Sequence, residues 1–353
     1  MPKPSSVATA ERPAAAVSVL SQAEELVSQG QALAAIDLLH EANQRAEDDE
    51  VERRLAALRR AAFDHLPAGT RHDVWPVPVP VPDIEGPAPA GIPELAPSEL
   101  SGSSVRRAIA EHGCVRVPGL LSEDRVAAFV RDIDQVLATR ESNRDSPYRV
   151  TSSWFAGLPL PPDEAASLGR GWIAGAGGVL ACDSPKVLDR LLATYAEIGL
   201  RATLTEYLGE RPVLSANKCT LRLVPPDSKA DWHQDGAFLG TGIRALNVWI
   251  ALSDCGVDAP GMDLVPKRFE QLCPTGTGGA LFDWAVGPAV VAEAAVGAPV
   301  VRPAFRAGDC LLFDELFLHR TATEPTMTRS RYAIESWFFA ATGYPEGQVP
   351  LVW

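Results

Sequence analysis

The sequence predicts a mainly-β protein with flanking helices: an antiparallel sandwich or barrel preceded by an α-helical appendage. Three observations carry this. From Pro212 onward, short apolar runs alternate with Gly, Pro and Asp punctuation, the pattern of strands joined by turns. Those late runs have no helical stretches of their own between them, which argues for antiparallel neighbours rather than parallel crossovers. Residues 21–63, by contrast, are rich in Ala, Leu, Glu and Arg, with apolar residues at helical spacing.

The totals bound the answer further. A chain of 353 residues suits one large enzyme domain carrying an appendage. Its 46% hydrophobic and 22% charged content is that of a globular protein. The net charge of −13 disfavours phosphate backbones and anionic lipid, and no local basic patch offsets it, so neither nucleic acid nor membrane is expected as a partner. The six cysteines lie far apart with no C-x-x-C pair and read as buried thiols. AAAVSVL near the N-terminus follows Pro and Arg and precedes acidic residues, unlike a secretory leader. No apolar run approaches a membrane span, and the expected location is cytoplasmic.

Along the chain, Leu26, Leu33, Ile36 and Leu39, then Val51, Leu55, Leu58 and Ala62, mark two or three amphipathic helices. QGQALAAIDLLHEA resembles half of a tetratricopeptide unit, with Gly30, Ala35, Leu39 and Ala42 at its packing positions. A solitary unit cannot bury a core alone, so its apolar stripes need cover from the main domain or from a second subunit, a homodimer through these helices. The expected divisions are therefore a helical appendage over 1–66, a Pro-rich linker over 67–98 and a catalytic domain over 99–353. In the last, Val105 to His112 reads as helix and CVRVPG as strand. Ser122 then caps a helix striped by Val126, Phe129, Ile133 and Val136. Asp183-Ser184-Pro185 opens another helix, with Leu188, Leu191, Leu192 and Tyr195 inward. The strand candidates are PVLSANKCTLRLV, ALNVWIAL, GMDLV, APVVRPAF, DCLLFDELFLH and RYAIESWFF. Alternation in ALNVWIAL puts Leu246, Val248 and Ile250 on one face and Asn247 with Trp249 on the other, where they can line a cavity.

The chemistry-bearing residues lie in DWHQDGAFLG and FDELFLHRTATEP. If the first stretch is extended, His233 and Asp235 point the same way and reach one ion. His319, at the end of an apolar strand, supplies a third ligand. Two histidines and a carboxylate on one side of a metal form the facial triad of non-haem Fe(II) oxygenases, although zinc suits the same ligand types. The following TMTRSRYAIESWFFA brings Arg329 and Arg331. A guanidinium clamps a carboxylate through two parallel hydrogen bonds, as a dicarboxylate co-substrate chelating iron at its other end requires.

With these residues in view, the chain from about Glu99 to Phe339 resembles the phytanoyl-CoA dioxygenase family of Fe(II)- and 2-oxoglutarate-dependent oxygenases. AIAEHGCVRVPGLLSEDRVAAF matches that family's opening helix, strand, loop and helix. The resemblance implies a double-stranded β-helix, or cupin-like jelly roll, core. It also implies iron ligation by His233, Asp235 and His319, with Trp249 in the cavity wall and Thr321 near the co-substrate carboxylate. Matching RYAI to the family's Arg-x-Ala strand favours Arg331 over Arg329 as the clamp. Lys218 is a further candidate for the co-substrate, a solvated lysine being equally compatible with its position. One departure concerns APGMDLVPKRFEQL, which stands where the family commonly has a Gly-Ser-His turn beside the substrate entrance; substrate class does not carry over. Trp154, Trp172 and Trp284 read better as buried packing than as substrate walls.

The expected protein is thus a dioxygenase using Fe(II), 2-oxoglutarate and O2, hydroxylating a small-molecule substrate with release of succinate and CO2. A cupin-like Zn or Mn hydrolase or isomerase would use the same triad but leave the arginine without a role. A non-catalytic scaffold built on the N-terminal helices is the third reading.

Overall fold

The computed structural model describes residues 14–66, 91–144, 152–228, 231–240 and 243–353. Most of the expected proline-rich linker lies outside the described residues. Three helices come first: α1 (Ala14–Ser28), α2 (Ala32–Arg45) and α3 (Asp49–Ala61). Asp48 starts α3 by accepting from the backbone N–H groups of Glu50 and Val51, donors that a helix N-terminus otherwise leaves free. The apolar stripe residues Ile36, Leu39, Val51, Leu55 and Leu58 meet one another and also Val352, far away in sequence.

Next come α4 (Gly102–His112), β1 (Cys114–Val117) and α5 (Glu123–Arg144). The short α6 (Pro162–Ser167), α7 (Arg170–Gly175) and β2 (Gly178–Leu180) follow. They lead to α8 (Pro185–Glu197) and α9 (Leu200–Leu208). The strand-rich half contains β3 (Pro212–Val224), α10 (Gly236–Leu239), β4 (Ala245–Ala251) and β5 (Gly261–Leu264). It ends with α11 (Pro288–Ala294), β6 (Cys310–Phe313), β7 (His319–Ala322), β8 (Arg331–Ala340) and β9 (Pro350–Val352).

The larger sheet has seven strands in the order β1-β6-β4-β8-β3-β2, with β9 also paired to β3. Every one of its pairings is antiparallel. The smaller sheet pairs β5 with β7, and single-residue bridges widen it on both sides, His233 against His319 and Leu264 against Val301. Phe313 of the larger sheet packs on His319 of the smaller at 4.7 Å between ring centroids, and Arg331 reaches across to the Gly261 carbonyl. Two sheets joined face to face in this way form a double-stranded β-helix, the jelly roll expected.

Register decides which residues face the interior. Asn247 opposes Trp337, and Trp249 opposes Glu335, so these four share one face, the one on which Phe313 packs against Trp337. Their neighbours point the other way: Ser336 and Phe338 meet Tyr195 of α8, burying the sheet's back under helices.

Three strand expectations need correction. APVVRPAF forms only isolated bridges at Val301 and Phe305, because Pro299 and Pro303 have no N–H to give a ladder. DCLLFDELFLH is not one strand but two. The Leu316 N–H bonds back to the Asp314 carboxylate and the Phe317 N–H to the Asp314 carbonyl, a turn that transfers the chain from one sheet to the other. His319 therefore opens β7 rather than ending an apolar strand. Third, Asp235 is not extended: its φ of −62° and ψ of −23° place it at the start of α10.

Candidate metal centre

His233 and His319 lie directly opposite each other, each N–H donating to the other's carbonyl at 3.0 and 3.1 Å. That narrow antiparallel pair throws both imidazoles to one side, with ring centroids 4.4 Å apart. Two residues after His233 the backbone turns helical, and the turn swings Asp235 back toward the pair. Its Oδ2 is 3.6 Å from His319 Nε2. One ligand-type atom from each of the three residues lies within 4.8 Å of the others. The residues read from sequence do converge, by a bridge and a helical turn instead of one extended strand.

The donor set fits a metal ion on its own chemistry. Each histidine anchors Nδ1 on the backbone carbonyl two residues earlier, Asp231 for His233 and Phe317 for His319, both at 2.9 Å. Such a bond fixes the tautomer and leaves the Nε2 lone pair available. Burial, then the neighbouring His233, pushes the His319 pKa down to about 3, so the ring stays neutral and ligand-competent across the ordinary pH range. Asp235 is 3% exposed, and its Oδ2 has no hydrogen-bond partner. A buried carboxylate oxygen left unpaired is costly unless a cation meets it. Lys218 Nζ, 3.9 Å from Asp235 Oδ1, is too far to hydrogen-bond.

Arg331 is the other residue that the sequence singled out. It is 1% exposed, its guanidinium lies 5.4 Å over Trp249, and Nη1 donates to the carbonyls of Pro260 and Gly261. Its Nε is buried without a partner, and among the described residues no carboxylate pairs with it. Burial pushes its pKa down only to about 10, so it remains a cation able to take an anionic partner. Arg329 is different, its side chain 60% exposed and paired with Asp258 at 3.3 Å. Thr321 follows His319 by two positions on β7 and so projects to the same face. Trp249 packs against Phe305 and Arg331.

Asn247, which alternation places beside Trp249 on a possible cavity face, is 1% exposed, with both amide atoms unpartnered, on the inward face. Sequence reasoning missed Phe238 and misplaced Trp284. Phe238, at 6.0 Å from the His233 ring, and Trp284, at 5.8 Å, flank the metal centre. Trp284 was expected to be core and is not. Trp172 is 67% exposed, whereas Trp154 packs beneath Lys186 and Arg190.

Residues 202–331 match the sequence pattern of the phytanoyl-CoA dioxygenase family. Among curated proteins no relative matches the sequence. Of solved structures, the S. alaskensis protein EctD, crystallised with 2-oxoglutarate and 5-hydroxyectoine, is 19% identical and aligns over 70% of this chain and 79% of its own, with a TM-score of 0.50. The epimerase SnoN, crystallised with Fe3+, α-ketoglutarate and nogalamycin RO, is 21% identical over 70% of this chain and 86% of its own, with a TM-score of 0.46. At such identities the likeness to EctD is one of fold. The span that matches the family pattern holds His233, Asp235, His319 and Arg331, and over that span the chain is similar to the phytanoyl-CoA dioxygenase family.

Proposed function

We propose that the protein is an Fe(II)- and 2-oxoglutarate-dependent oxygenase whose reaction is hydroxylation of a small organic substrate. One observation carries the reading: a buried carboxylate oxygen without a hydrogen-bond partner stands between two histidines, and the same fold buries an arginine that no carboxylate pairs with among the described residues. A metal satisfies the first and a diacid the second. His233, Asp235 and His319 would hold the iron, which with 2-oxoglutarate bound would supply O2 activation coupled to release of succinate and CO2. Arg331 would hold the distal carboxylate, oriented by the two carbonyls on Nη1, with Thr321 beside it. Asn247 and Trp249 line the wall and restrict water. The zinc or manganese hydrolase reading leaves Arg331 with no anion and is the weaker one.

The test is succinate formation under air with Fe(II) and 2-oxoglutarate. The wild type should depend on both, and Asp235→Ala should lose at least about a hundredfold, removal of a ligand being more severe than the 10–100-fold effects of disturbing its support. Full turnover with zinc and no 2-oxoglutarate would reject the proposal.

A further inference from the structure

The mouth of the metal centre is rimmed by exposed apolar side chains. Phe238 of α10 is 38% exposed, Phe282 46% and Leu281 77%. Phe282 stacks on Trp284 at 5.1 Å with 4° between the ring planes. Trp284 in turn stands edge-on to His233 (5.8 Å, 87°) and to Phe238 (6.3 Å, 83°). Two aromatic rings therefore flank one candidate iron ligand, and a third stacks on one of them. Scattered exposed apolar residues mean little, but a contiguous group beside a reactive centre marks a binding surface.

The segment that carries Phe282 and Trp284 is anchored on both sides. The Leu281 N–H donates to Asp231 Oδ2 at 3.1 Å, and the Val286 N–H donates to the Trp232 carbonyl at 2.8 Å. Asp231 and Trp232 are the two residues immediately before His233, so the same short stretch positions the ligand and the rings. Val286 also packs into a separate apolar cluster with Trp232, Val265, Val291 and Leu318. This wall belongs to the connection after β5, the region where the sequence departs from the common Gly-Ser-His turn.

The charges around the rim select against ions of either sign. Lys218 Nζ already stands 3.9 Å over the Phe238 ring, so a cationic group there meets repulsion. On the other side Asp231, whose carboxylate accepts from the Leu281 N–H of the ring-bearing segment, disfavours an anion. What remains favourable is a neutral planar group, since aromatic rings pair best offset or edge-to-face with centroids about 4.5–7 Å apart, the spacings these rings already adopt among themselves.

We infer that Phe238, Phe282 and Trp284 form a substrate subsite for a flat, uncharged aromatic ring, which presents its attached C–H group to the metal centre. The inference rests on the proposed oxygenase reading for what happens to that C–H, but the ring subsite has its own readout. The probes are 2-naphthol and its saturated counterpart decahydro-2-naphthol, titrated calorimetrically and without air into the full chain carrying Fe(II) and 2-oxoglutarate. The wild type should bind 2-naphthol roughly fivefold tighter than the saturated alcohol, the preference expected of aromatic pairing beyond area. Trp284→Leu and Phe282→Leu, both at solvent-accessible positions, should each weaken 2-naphthol about tenfold and remove the preference, with 2-oxoglutarate affinity unchanged. Equal affinity of the two alcohols for the wild type, or a preference retained in both variants, overturns the inference. If the wild type binds no 2-oxoglutarate, the oxygenase reading fails instead, and the same titration on the metal-free chain still decides the ring subsite.

Discussion

At the scale of single residues, burial separates two arginines that sequence alone leaves close. Both sit two positions apart near the start of a strand, and alternation assigns them to the same face. The structure begins β8 at Arg331, so Arg329 lies before the strand, where its backbone N–H and side chain bond to Asp258. Arg331 lies beneath Trp249 without a carboxylate partner. Arg331→Ala should therefore raise the KM for 2-oxoglutarate about ten- to a hundredfold, the loss of a charge-assisted contact of about 1.5–3 kcal/mol. Arg329→Ala should change it less than about threefold, since an exposed ion pair contributes little. Initial rates of succinate release across a 2-oxoglutarate series check both. Equal effects would remove Arg331 as the co-substrate clamp. Matching RYAI singled out Arg331 from the sequence; the two carbonyls that aim it, at Pro260 and Gly261, could not be read there, because they come from the head of β5, distant in sequence.

At the scale of elements, the strands were legible and the bridge and turn that shape the site were not. PVLSANKCTLRLV coincides with β3, RYAIESWFF lies within β8, and GMDLV contains the short β5; alternation and turn punctuation mark such runs as fitting a pleated, half-buried surface. The single-residue bridge at His233 and the turn from β6 to β7 depend on partners far away in sequence, so periodicity could not show them. Such partners also explain why glycine stands at the head of β5. A Cβ on Gly261 would lie 2.6 Å from the Gly256 Cα, a backbone approach that no side chain can relieve by rotating. Gly261→Ala must push β5 away, and the Gly261 carbonyl that holds Arg331 moves with it. The expected result is a weaker 2-oxoglutarate complex, by roughly tenfold if one charge-assisted hydrogen bond of about 1.5 kcal/mol is lost, with Fe(II) affinity close to wild type. Anaerobic titration of each ligand separates the two. A loss of both affinities together would show general unfolding of the smaller sheet instead.

For the whole molecule, the first three helices hold none of the site residues, yet charged groups bind them to the domain behind it. Arg59 of α3 is 2% exposed and donates to the Val352 carbonyl of β9, while its guanidinium lies 3.8 Å from Asp189 of α8. Asp189 also takes hydrogen bonds from Asn43 and Gln44 and contacts His40 Nδ1 at 2.7 Å. Lys186 meets the buried Glu52 at 2.7 Å. These contacts tie α2 and α3 to the helix that backs the larger sheet, and their apolar stripes are covered within the same chain. Removing residues 1–66 would strip Asp189 and Lys186 of their partners and expose Val352, where breaking one buried pair already costs about 3–5 kcal/mol. The truncated chain should consequently melt well below the full chain and lose solubility, with both deficits larger at neutral pH, where the orphaned charges are ionised. Any fraction that stays folded should still bind Fe(II) and 2-oxoglutarate, because every group proposed to hold them lies beyond residue 217. Melting curves, light scattering and anaerobic titration on both chains check this. An unchanged melting temperature would show that the helices rest on the domain without supporting it, and a folded truncation that cannot bind 2-oxoglutarate would place them within the active domain.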